Sequence, residues 1–143
     1  FEYSKHFLRI IPNQILNSVH MTTSPFPGFP TDLQAPFMAL MATANGTSKI
    51  KETVFENRMH HVKELNRMGA NISVRDNIAT VIGVKNLQGK EVMGSDLRAT
   101  AALALAGLSA NGKTIVRGLE HLERGYEYFS EKLQEIGAKI IKK

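Results

Sequence analysis

Carboxylates and arginines recur at matching places in this sequence, where together they could bind an anion and accept a proton. Asp32 and Asp96 each follow a hydroxyl residue, in Thr-Asp-Leu and Ser-Asp-Leu. Arg58 and Arg124 each follow a short β-like stretch, and Arg98 lies just after Asp96. Arginine binds phosphates and carboxylates through paired hydrogen bonds. A carboxylate can take a proton from a hydroxyl within hydrogen-bond reach.

Asp32 differs from Asp96 because a proline-rich connector, TSPFPGFPTD, precedes it at residues 23–32. Proline fixes φ and lacks a backbone N–H, so the connector is neither helix interior nor central strand. We interpret it as a rigid segment that holds Asp32 in place, which favours a functional role for this carboxylate. For Asp96 the favoured interpretation is a helix cap that balances the helix dipole.

Other polar residues give weaker signals. Glu56 is interpreted as a partner for Arg58. His60 and His61 are adjacent, so they point to different faces of a helix, and both are predicted to be surface residues rather than metal ligands. The sequence contains no glycine-rich phosphate loop, zinc-ligand spacing or Ser–His–Asp pattern, and we expect no metal site.

The composition limits the functions open to the chain. Its 143 residues are 43% hydrophobic and 22% charged, ordinary values for a globular domain with a core. Cysteine is absent, which excludes disulfides, thiolate metal sites and a cysteine nucleophile within the chain. The net charge of +5 suits an anionic partner. The basic residues are scattered, whereas a nucleic-acid surface more often forms a stripe.

The sequence repeats itself with a period of roughly 64 to 68 residues. The stretches from Thr31 and from Ser95 both begin Ser/Thr-Asp-Leu, continue with an apolar run and end on Gly-Ala-x-Ile. The uncharged runs, residues 35–44 and 99–110, predict helices buried on every side. Thr31 and Ser95 are predicted N-caps, and Gln34 completes a capping box for Thr31.

Each unit also contains a second helix with one apolar stripe, followed by a glycine. The stripes are Met59, Val62, Leu65 and Met68 in the first unit, and Tyr126, Phe129, Leu133 and Ile136 in the second. Strands are predicted in SKIKETV, ANISV, TVIGV and KTIVRGL. Residues 84–92 predict a hairpin-type connection between units. The chain is therefore predicted to be an α/β domain of repeated units.

Longer stretches closely resemble the C-terminal part of the UDP-N-acetylglucosamine 1-carboxyvinyltransferase (enolpyruvyl transferase) family. The motifs PGFPTD, ENR, SDLRA and RGYE carry the resemblance, which runs from about Thr22 to the end. It implies an α/β (α+β) fold of repeated βαβαββ units with buried central helices, about two of the three units of one domain. The units would span residues 22–90 and 91–143, with residues 1–21 the tail of a preceding unit.

The family transfers enolpyruvate from phosphoenolpyruvate to the sugar 3-hydroxyl, the first committed step of peptidoglycan synthesis, and the resemblance implies no cofactor. It implies that Asp32 is the general base and contacts the sugar, and that Val54 contacts the nucleotide sugar through its backbone. The residues implied on the phosphoenolpyruvate side of the cleft are Arg58, Arg98 and Arg124, with Glu56 and Asp96 in support.

The chain would cover about a third of such an enzyme, and Phe1 in place of Met also predicts a piece of a longer protein. The other domain would carry the catalytic Cys loop, a phosphoenolpyruvate-binding Lys and most of the nucleotide pocket, so we expect this chain alone to be inactive. The expected partners are UDP-N-acetylglucosamine, phosphoenolpyruvate and that missing domain. No membrane-spanning run or signal peptide is found, and we expect a cytoplasmic protein that binds neither nucleic acid nor membrane.

Two alternatives remain open. The first is the sister family of enolpyruvylshikimate phosphate synthases, which has the same fold and chemistry but another acceptor. PGFPTD and FENR favour the sugar enzyme. The second is a non-catalytic basic domain that binds nucleic acid or another acidic partner. A steep negative slope of log affinity for DNA against log salt would identify this second alternative.

Overall fold

The computed structural model describes residues 2–11 and 15–142. The strands are β1 (Glu2–Tyr3), β2 (Leu8–Arg9), β3 (Met21–Thr22), β4 (Thr47–Lys51), β5 (Asn71–Arg75), β6 (Ile78–Ile82), β7 (Glu91–Met93) and β8 (Ile115–Arg117). The helices are α1 (Gln34–Met41), α2 (His61–Arg67), α3 (Leu97–Ser109), α4 (Leu119–Leu122) and α5 (Phe129–Glu135). A 3₁₀ turn, Thr31–Leu33, leads into α1.

The first unit forms a sheet in the order β3-β4-β6-β5. β3 runs parallel to β4, and the other two pairings are antiparallel. Side chains alternate along β4, where Ser48 and Ile50 are buried and Lys49 and Lys51 are exposed, as expected for a strand with one buried face. The element order β3-α1-β4-α2-β5-β6 confirms the predicted βαβαββ unit. The exact unit boundaries stay a prediction.

The central helices α1 and α3 pack against each other in the core. Met38 of α1 and Leu103 of α3 are fully buried. The prediction that these helices are buried on every side is wrong for one face of each, because Leu40 of α1 and Leu105 and Leu108 of α3 are exposed.

The predicted stripe of the first outer helix is confirmed, since Val62, Leu65 and Met68 are buried. The stripe of the second unit is wrong: α5 contains no buried residue, and Ile136 is 82% exposed. The physical difference is that α2 packs against β5, whereas no strand of the described residues follows α5.

Two predicted N-caps are also wrong. Asp96, rather than Ser95, caps α3 by accepting hydrogen bonds from the backbone N–H groups of Arg98 and Ala99. Thr31 lies inside the 3₁₀ turn, and the buried side chain of Gln34 finds no hydrogen-bond partner among the described residues. The capping box does not form, and the Thr31 hydroxyl donates instead to the carboxylate of Glu52.

The connection between the units is parallel rather than hairpin-like. β7 pairs parallel with β8, and an isolated parallel bridge joins Gln88 to Asn111. The predicted helix-terminating glycines are confirmed at Gly69 and Gly137, which have φ of +90° and +98°, a region that favours glycine.

Candidate active site

Asp32 lies between two arginines. Its Oδ1 atom accepts a hydrogen bond from Arg98 Nε at 2.9 Å and another from Arg58 Nη2 at 3.0 Å. Arg98 Nη2 lies 2.9 Å from the same oxygen. In the described part of the chain no hydrogen bond reaches Asp32 Oδ2. One carboxylate oxygen is thus fixed by two cations, and the other is free to accept a proton.

Three separate segments place these side chains. The connector holds Asp32 from one side. Within it the Ser24 N–H donates to the Phe29 carbonyl, and the Phe29 ring packs edge-on against the Phe37 ring of α1, with 5.3 Å between the ring centres. Arg98 projects from the first turn of α3, in the second unit. Arg58 comes from the loop between β4 and α2. The site therefore requires both units to be packed together.

The arginines hold Asp32 in its ionised form. The hydrogen bond from Arg98 is the main cause that lowers the pKa of Asp32 below 3.8, and the positive charges of Arg98 and Arg58 add to it. In return, Asp32 raises the pKa of Arg98. The Asp32 side chain is 57% exposed, so the carboxylate is ionised at neutral pH and open to solvent.

Both arginines keep donors that are not used within the described residues. Arg98 Nη1 and Arg58 Nε make no hydrogen bond there, while Arg58 Nη1 donates to the Thr31 hydroxyl at 2.8 Å. The Arg58 guanidinium also lies over the Phe55 ring, 4.5 Å from its centre. A carboxylate or phosphate group could accept from the free N–H groups without displacing Asp32.

Glu52, which the sequence analysis missed, supports this cluster from within the protein. It is 2% exposed. Its Oε1 accepts from the Thr23 hydroxyl and the Val54 and Phe55 backbone N–H groups, and its Oε2 accepts from the Thr31 hydroxyl. Burial alone would raise the pKa of Glu52, but these hydrogen bonds outweigh it, and the net result is a lowered pKa.

Asp96 acts as the cap that the sequence favoured. Burial alone would raise its pKa, but hydrogen bonds led by that from Ala99 N–H lower it below 3.8. His61 lies close enough to interact electrostatically with Asp96. The prediction that His61 is a surface residue is wrong, because it is 3% exposed and burial lowers its pKa to about 4. It falls on the buried face of α2 with Leu65.

Two predicted site residues, Glu56 and Arg124, stand apart from the cluster. Both are exposed, and neither makes a hydrogen bond or ion pair with any described residue. The interpretation of Glu56 as the partner of Arg58 is wrong, since Asp32 and Thr31 take that place. The Val54 N–H donates to Glu52 at 2.9 Å, which leaves its carbonyl for an external contact.

A cavity of about 560 Å³ lies away from this cluster, between α3, α4, α5 and the C-terminal segment. In the described part of the chain, no group of three His, Asp or Glu side chains is arranged to hold a metal ion. None of the helices described is long and apolar enough to cross a membrane.

The family profile of EPSP synthase (3-phosphoshikimate 1-carboxyvinyltransferase) matches residues 4–133. The chain belongs to this family. Its predicted resemblance to UDP-N-acetylglucosamine 1-carboxyvinyltransferase is confirmed by relatives that bear that name. One from a strain of Prochlorococcus marinus is 61% identical over 97% of this chain. One from Trichormus variabilis is 56% identical over 99% of it.

The chain spans about a third of the length of these relatives, 33% and 32% respectively. Among solved structures, the enolpyruvyl transferase NikO from Streptomyces tendae matches with a TM-score of 0.81 and 33% identity, over 90% of this chain and 30% of that one. EPSP synthase from Acinetobacter baumannii matches with a TM-score of 0.65 and 17% identity, over 89% and 29%. These neighbours confirm the predicted enolpyruvyl transferase fold.

Proposed function

We propose that this chain is part of an enzyme that transfers enolpyruvate from phosphoenolpyruvate to the 3-hydroxyl of UDP-N-acetylglucosamine. That reaction is the first committed step of peptidoglycan synthesis, on which cell shape and division depend, and we place it in the cytoplasm. The observation that carries the proposal is the contact of Asp32 with both Arg58 and Arg98. This contact places a carboxylate that has one unoccupied oxygen beside two arginines that each keep an unused N–H donor.

In this proposal Asp32 accepts the proton of the sugar hydroxyl on Oδ2. The lowered pKa keeps it ionised and ready to accept, although it makes the carboxylate a weak base. Its fixed Oδ1 prevents the side chain from rotating, so binding need not order it. The Val54 carbonyl faces the nucleotide sugar.

The arginines bind the anionic co-substrate. Phosphoenolpyruvate carries a phosphate and a carboxylate, and the free N–H groups of Arg58 and Arg98 suit either group. Arg124 joins them from the segment after α4 when the co-substrate is bound. Guanidinium groups placed where charge develops stabilise the transition state.

The site described here is incomplete. The side chain of Asp32 is more than half exposed, whereas an enolpyruvyl transfer needs water to be excluded from the reacting atoms. The remaining part of the longer enzyme supplies that cover by closing over the cluster. The chain alone is inactive for the same reason.

The test is a transfer assay on a full-length transferase that contains this segment. Phosphate release from phosphoenolpyruvate is measured with either UDP-N-acetylglucosamine or 3-phosphoshikimate as acceptor. Release with the nucleotide sugar supports the proposal. Release only with 3-phosphoshikimate assigns the segment to the sister activity, and release with neither rejects both. DNA binding with a steep salt dependence would instead favour the non-catalytic alternative.

A further inference from the structure

Glu52 is a buried carboxylate without an ion-pair partner among the described residues. All four of its neighbours are donors: the hydroxyls of Thr23 and Thr31 at 2.8 and 2.9 Å, and two backbone N–H groups at 2.9 and 3.2 Å. A protonated carboxyl group would have to donate to one of them. The surroundings therefore hold Glu52 as an anion. Its backbone is fixed by Asn77, because the Glu52 N–H donates to the Asn77 carbonyl and the Asn77 side-chain amide donates to the Glu52 carbonyl.

The anion sets the orientation of the Thr31 hydroxyl. Because that hydroxyl donates to Glu52, its lone pairs remain for the Arg58 guanidinium, which donates from Nη1 at 2.8 Å. The neighbouring Nη2 of the same guanidinium donates to Asp32 at 3.0 Å. One hydroxyl thus connects the buried carboxylate to the arginine that holds the exposed one.

A second route leads to the same arginine. Glu52 accepts from the backbone N–H groups of Val54 and Phe55, which fixes the loop after β4. The Phe55 ring of that loop lies against the Arg58 guanidinium. Glu52 therefore fixes the orientation of the Thr31 hydroxyl and the position of the Phe55 ring, and Arg58 contacts both groups.

We propose that Glu52 is a positioning residue, which orients Arg58 toward Asp32 through Thr31 and through the loop that carries Val54 and Phe55. The effect of Glu52 on catalysis rests on the proposed function. The orientation of Arg58 by Glu52 does not depend on that function, and it can be measured without substrate.

Two hydroxyls bound to the same carboxylate give a matched pair of variants. Thr31→Val and Thr23→Val each remove one donor to Glu52, but only Thr31 also accepts from Arg58. Thr23 is fully buried and also accepts from Thr53 N–H, so Thr23→Val costs more stability. A merely structural role would therefore rank the two variants in the opposite order from a positioning role.

The measurement is the pKa of Asp32 in the 143-residue chain, from the carboxyl ¹³C shift against pH. We expect the pKa of Asp32 to rise part of the way toward its ordinary value in Thr31→Val and in Glu52→Gln, because the contact with Arg58 is disturbed while the larger effect of Arg98 remains. It should stay fully lowered in Thr31→Ser and Thr23→Val. An unchanged pKa in Thr31→Val overturns the proposal, as does an equal rise in Thr23→Val. If Glu52→Gln does not fold, the threonine variants still decide.

The catalytic consequence is measured in the full-length transferase. Thr31→Val should lower kcat about tenfold, because the base and its arginine lose their mutual orientation, and Thr31→Ser should restore it. A kcat for Thr31→Val equal to that of the wild type overturns the consequence for catalysis. A wild-type enzyme without transfer activity rejects the proposed function, but the titration of Asp32 still tests the positioning role.

Discussion

Arg98 donates from Nε to Asp32 Oδ1 at 2.9 Å, across a separation of 66 residues. This contact links the first turn of α3 in one unit to the 3₁₀ turn before α1 in the other. The central helices α1 and α3 of the two units pack against each other, and this packing brings the two side chains within reach. The site is therefore complete only when the two units are packed together.

Removing Arg98 should leave the Asp32 carboxylate with Arg58 as its one remaining cation among the described residues. In Arg98→Ala we expect the pKa of Asp32 to rise toward 3.8, because the Arg98 hydrogen bond is the largest cause of its lowering. Arg124→Ala should leave the pKa of Asp32 lowered, since no contact joins these two side chains in the described part of the chain. A titration followed by carboxyl ¹³C shifts distinguishes them. An unchanged pKa in Arg98→Ala would show that the contact does not exist in solution.

The same two variants should differ from the wild type in substrate use. In the full-length enzyme, Arg98→Ala and Arg124→Ala should each raise KM for phosphoenolpyruvate more than KM for UDP-N-acetylglucosamine. Both guanidinium groups are placed on the side of the anionic co-substrate in our proposal. Steady-state kinetics with each substrate varied in turn provide the measurement. A rise confined to the sugar's KM contradicts the assignment.

Asp96 should contribute to stability through its cap rather than through chemistry. Asp96→Ala should lower the free energy of unfolding by about 0.5 to 2 kcal/mol, the usual range for a lost N-cap. The lowered pKa means that this contribution is present above pH 3.8 and is lost as the pH falls through the pKa of the folded state. Urea unfolding measures it, with Ser95→Ala as the control. An equal loss in Ser95→Ala would contradict the assignment of the cap.

His61 should make the fold sensitive to mild acid. Its pKa is about 4 in the folded chain and 6.5 ordinarily, so the unfolded chain binds the proton first. The contribution of neutral His61 to stability is fully present above pH 6.5 and is lost as the pH falls toward 4, by about 1.4 kcal/mol per pH unit. His61→Gln should remove that dependence, whereas His60→Gln, at the exposed neighbouring position, should keep it. Identical slopes in all three proteins would mean that His61 titrates normally.

The sequence predicts the Asp and Arg residues of the candidate site better than it predicts the buried residues that hold them in position. Asp32 and Arg58 could be found because each recurs in the second unit, as Asp96 and Arg124. Arg98 does not recur, since Gln34 holds its position in the first unit, and it is found only by its place beside Asp96. Glu52 could not, because its partners Thr23 and Thr31 are 29 and 21 residues away along the chain. A lone Glu at the end of a strand is normally a solvated charge.

Two other errors have local causes. His61 is at helical spacing from Leu65 and Met68, a signal that indicates burial once the phase of α2 is used. The stripe of α5 follows the same rule, yet Ile136 is exposed. Helical periodicity shows which face is apolar, while burial also requires a neighbouring element to pack on that face.

The 143-residue chain should bind UDP-N-acetylglucosamine only weakly, with a dissociation constant well above the micromolar range. Of the predicted sugar contacts it offers only Asp32 and Val54, both on an open surface, and ligand binding without closure leaves the ligand hydrated. Calorimetric titration of the nucleotide sugar into the chain gives the affinity, and circular dichroism confirms that the chain is folded. Micromolar affinity would show that the site is self-contained.

The turnover of Asp32→Asn in the full-length transferase tests the central claim most directly. Asparagine keeps the shape and the Oδ1 acceptor for both arginines but cannot take a proton. We predict that kcat falls about a hundredfold or more, while the affinity for UDP-N-acetylglucosamine stays within about tenfold of the wild type. Asp76→Asn, at an exposed carboxylate in the turn between β5 and β6, is the control and should keep its turnover. Turnover of Asp32→Asn close to that of the wild type would contradict the role of Asp32 as the base.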